Sequence, residues 1–85
     1  MSPNTPSLQT LTLAIAAVAQ EQERATRRLE AGQARPDEHL AEHVLDLQKA
    51  LGELGGWYEA ERSADRSYPP FEALVAHGRA SATNS

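Results

Sequence analysis

The sequence predicts an all-α protein: an antiparallel two-helix hairpin, coiled-coil-like, followed by a short C-terminal helix. Three observations lead there. Apolar residues recur at spacings of three and four over two long stretches, the period of one helix face. The 85 residues are rich in Ala, Leu, Glu, Arg and Gln, which favour helix, and poor in the β-branched residues that build strands. Every proline falls at or beyond the ends of these stretches, and Gly32 lies between them.

The first element is expected over about residues 6–31. Thr5-Pro6 offers a capping hydroxyl followed by proline at the first helical position. Leu8, Leu11, Ile15, Val18, Gln22, Ala25 and Leu29 then form a seam broken only by Gln22, a polar residue placed to fix register or meet a water. Gly32 is the expected stop. The second element is expected over about 36–66, opened by Pro36 with Asp37 and Glu38 in its first turn, where the helix dipole favours acids. Its seam is Leu40, Val44, Leu47, Leu51, Leu54 and Tyr58. A short connection makes the two helices antiparallel neighbours. Facing residues then have a constant number sum, so pairing Leu29 with Leu40 also pairs Ile15 with Leu54 and Leu11 with Tyr58.

Gly52, Gly55 and Gly56 interrupt the propensity of the second helix beside Trp57, the only tryptophan. The same register sets Gly55 opposite Ala14 and Gly52 opposite Ala17, so close approach of two backbones is the expected reason for these glycines. Tyr68-Pro69-Pro70-Phe71 is rigid punctuation. Pro70 opens a short helix over about 70–77 carrying Phe71, Leu74 and Val75, with Gly78 as its stop and 79–85 as a disordered tail. Residues 1–78 thus read as a single domain.

Composition excludes several functions. With no cysteine there is neither a disulfide nor a thiolate zinc site. Twelve acidic against eight basic side chains, net charge -4, argue against a general phosphate-binding surface. Arg24, Arg27, Arg28 and Arg35 gather near the connection. Glu21, Glu23 and Glu30 dilute them, and no aromatic lies among them to stack on bases, so no nucleic-acid partner is expected. Leu11 to Ala19 is apolar and ends Ala-x-Ala. No basic residue precedes it, however, nine residues cannot span a bilayer, and removing it would strip the hairpin of its partner face. A cytoplasmic protein with no membrane partner is therefore expected.

His39-Leu40-Ala41-Glu42-His43 matches the H-x-x-E-H spacing of inverted zinc peptidases, one turn apart on a helix. Two helices supply neither a further ligand nor a cleft, so these histidines are expected to face solvent. No metal, cofactor or catalytic residue is expected, and the protein reads as no enzyme. The layout resembles that of the small two-helix co-chaperones and needle subunits of type III secretion. Pro69-Pro70 interrupts the C-terminal helix that a needle subunit keeps continuous, and no residue is carried over.

What remains is apolar surplus. Leu13 and Leu45 lie off the seam, Trp57, Tyr68, Phe71, Leu74 and Val75 exceed what two helices cover, and Tyr58 of the seam adjoins Trp57. These eight are the candidate partner-binding residues, since aromatic anchors carry most binding energy at interfaces. The expected function is a non-enzymatic interaction module, a small acidic hairpin that binds, caps or inhibits another protein, in the manner of co-chaperones, antitoxins or phage inhibitors. A self-assembling structural subunit is the alternative. Two helices leave a broad face uncovered, so a homo-oligomer is expected, a dimer closing a four-helix bundle being favoured.

Overall fold

The computed structural model describes residues 7–32 and 39–83, which form three α-helices and no strand. Helix α1 spans Leu8–Glu30, α2 Leu40–Arg62 and α3 Phe71–Thr83. The predicted all-α hairpin with a C-terminal helix is what the chain forms, with α1 and α2 packed closely and α3 lying along α1.

The helix ends differ from the expected ones, each for a local reason. Helix α1 is capped by Ser7, whose Oγ accepts a hydrogen bond from the Thr10 N–H at 3.2 Å; the proposed Thr5-Pro6 cap lies outside the described residues. Gly32 does end it, in the left-handed conformation at φ 70°. The expected start of α2 at Pro36, with Asp37 and Glu38, lies outside the described residues. His39 sits at φ 52°, a left-handed conformation that no helix passes through, so α2 begins at Leu40. It stops at Arg62 and not near 66, because Ser63 to Ser67 turn away. There the Ser67 hydroxyl and N–H donate to Asp65 Oδ1 at 2.6 and 3.1 Å. These two donors hold the Asp65 carboxyl below its ordinary range. The turn gains from them above that range and loses the gain as pH falls through the lowered value.

The largest correction concerns the tail. Gly78 does not stop α3, and residues 79–83 are helical, with Ala82 buried. Gly78 is instead the contact point of α3 on α1. A Cβ built there would lie 2.5 Å from the Ala16 carbonyl oxygen and 2.9 Å from Ala19 Cβ. That approach explains why Ala19, off the predicted seam, is fully buried. Helix α1 thus has two contact faces. Its seam meets α2, and its Ala16–Ala19 side meets α3.

Three side chains of the last turns of α2 place α3. The Tyr58 hydroxyl donates to the Pro69 carbonyl, Arg62 Nε donates to the Tyr68 carbonyl at 3.0 Å, and Glu59 Oε1 accepts from the Phe71 N–H at 3.0 Å. Neither proline has an N–H, so Phe71 supplies the first free donor of the new helix, and Glu59 satisfies it. From there α3 follows α1, and its contact with α2 is slight. The core comprises Leu11, Ile15, Ala19, Leu51, Tyr58 and Leu74. Gln22, the polar break in the α1 seam, accepts from Arg79 Nη2 of α3 at 3.4 Å.

The glycines of α2 do not pack as the register suggested. Helix α2 continues through all three to Arg62. Gly55 faces the Phe71 ring, not Ala14, with a built Cβ 3.0 Å from two ring carbons, and Gly52 and Gly56 face open space. Gly52→Ala and Gly56→Ala are therefore expected to raise stability by about 1 kcal/mol each through propensity alone. Gly55→Ala, which must displace a half-buried ring, should be near neutral, and Gly55→Leu should lose about 1–3 kcal/mol by overpacking. Urea midpoints of the four variants test this set; a loss at Gly52 would contradict the open environment.

Candidate functional site

The eight residues singled out from the sequence divide sharply. Tyr58 is fully buried, Leu74 is buried, and Tyr68, Phe71 and Val75 pack half-buried against the core. These five pack into or against the chain's own core. Leu13, Leu45 and Trp57 remain in solvent at 66, 57 and 50 % exposure.

Helical spacing shows where the three point. On α2, His43, Leu47, Ala50, Leu54 and Trp57 step by four, three, four and three, which is one stripe. On α1, Ala14, Ala17 and Glu21 form another, with Leu13 at its margin. His43 Nε2 lies 3.5 Å from Glu21 Oε1, and this contact joins the two stripes on one side of the hairpin. Helix α3 occupies the other side, against Ala16 and Ala19 of α1 and Gly55 of α2. One side of the hairpin is thus covered by α3. The other presents a shallow apolar strip in which Leu47, Ala50, Leu54 and Ala14 are half-buried and Ala17 and Trp57 exposed. Leu45 lies off the strip on the outer surface of α2, by its position in the helical period.

The strip was missed in the sequence because its residues read as seam or as helix-forming filler. The 3–4 spacing of Leu47, Ala50, Leu54 and Trp57 was the available signal.

At its connection end the strip runs into an open depression of 460 Å³ lined by Glu21, Arg28, His39, Leu40, Glu42, His43 and Asp46. Both histidines of the H-x-x-E-H sequence are exposed there. They do not converge. His39 Nδ1 is 4.0 Å from Glu42 Oε2, while His43 turns to Glu21. His39 precedes the helix in a left-handed conformation, so the one-turn spacing that would align two imidazoles is lost. Among the described residues no three such donors gather as a metal site requires. No charged side chain is buried among the described residues. None of the described helices is long and apolar enough to cross a membrane.

No protein family, curated protein or solved structure matches the chain.

Proposed function

We propose that this chain is a non-enzymatic protein–protein interaction module, a small acidic hairpin that binds, caps or inhibits another protein through the strip opposite α3. The half-exposed Trp57, at the end of that strip beside half-buried Leu54, carries the reading. A tryptophan buries a large apolar area, and tryptophans are enriched among the few residues that carry most interface energy. The alanines of the strip leave a flat floor on which a partner helix can lie close. Assembly with copies of itself is the second reading.

Affinity purification from the native host, at several salt concentrations, tests the proposal. The wild-type chain is expected to recover a protein in stoichiometric amount, and Trp57→Ala to lose most of it. Equal recovery by wild type and Trp57→Ala would remove this face from the function.

A further inference from the structure

We draw no further inference here: the strongest candidate, the shallow apolar strip from Leu47 to Trp57 on the side of the hairpin that α3 leaves uncovered, belongs to the site already described, and nothing in the structure shows what covers it.

Discussion

Tyr58→Ala is expected to lower the unfolding free energy by about 3–5 kcal/mol, the range for truncating a buried aromatic ring. Tyr58 is fully buried and is the largest of the completely enclosed side chains, beside Leu11 and Ile15. Its ring belongs to the buried cluster that draws on all three helices, and its hydroxyl donates to the Pro69 carbonyl, so one residue holds both the hairpin and the entry to α3. A small domain has about 5–15 kcal/mol in total, so the variant should lose a large share of its stability and unfold at a markedly lower urea concentration. Tyr58→Phe separates the two roles. It keeps the ring and should lose only about 1 kcal/mol, the net worth of one hydrogen bond. Urea denaturation followed by circular dichroism measures both. A Tyr58→Ala loss below that of Tyr58→Phe would show that the ring is not packed as described.

Gly78→Ala is the second large effect, and its sign opposes the usual rule. Alanine in a helix interior ordinarily gains about 1 kcal/mol over glycine. Here its methyl would lie 2.5 Å from the Ala16 carbonyl oxygen and 2.9 Å from Ala19 Cβ. The first obstacle is backbone, which cannot rotate aside as a side-chain end can. Helix α3 must therefore lift from α1, and a net loss of about 1–3 kcal/mol is expected. Hydrogen exchange should localise the loss to amides of α3, leaving the α1–α2 hairpin protected. A gain in stability, or a uniform loss over all three helices, would contradict the close contact at Gly78.

The difference between Gly78 and Gly52 shows how far a sequence can be read. Both are glycines within a helix, yet the sequence reads Gly52 as a close approach to Ala17 and Gly78 as a helix stop. One meets a neighbouring backbone and the other open space. Local chemistry was legible. The three-and-four spacing marked Leu11, Ile15, Leu51 and Tyr58 as core, and Gly32 ended α1, because period and left-handed backbone preference act within a few residues. The same local rules misjudged Gly78, where α3 ought to have stopped, since a packing gain against α1 outweighs a propensity cost of about 1 kcal/mol.

What the sequence alone determined was the all-α class, the hairpin and the order of its elements. Hydrophobic period, proline and glycine are properties of short segments and need no partner to be expressed. Only the tertiary structure decided which side of the hairpin α3 would take. Helix α1 offers apolar or small residues on both of its flanks, Ala14 and Ala17 on one and Ala16 and Ala19 on the other. The choice was made from outside α1. Tyr58, Glu59 and Arg62 hold the Pro69-Pro70 linker at the end of α2, and Gly55 and Gly78 admit α3 on the side of Ala16. That choice also fixed the candidate site, because the strip ending in Trp57 is the side that α3 left uncovered.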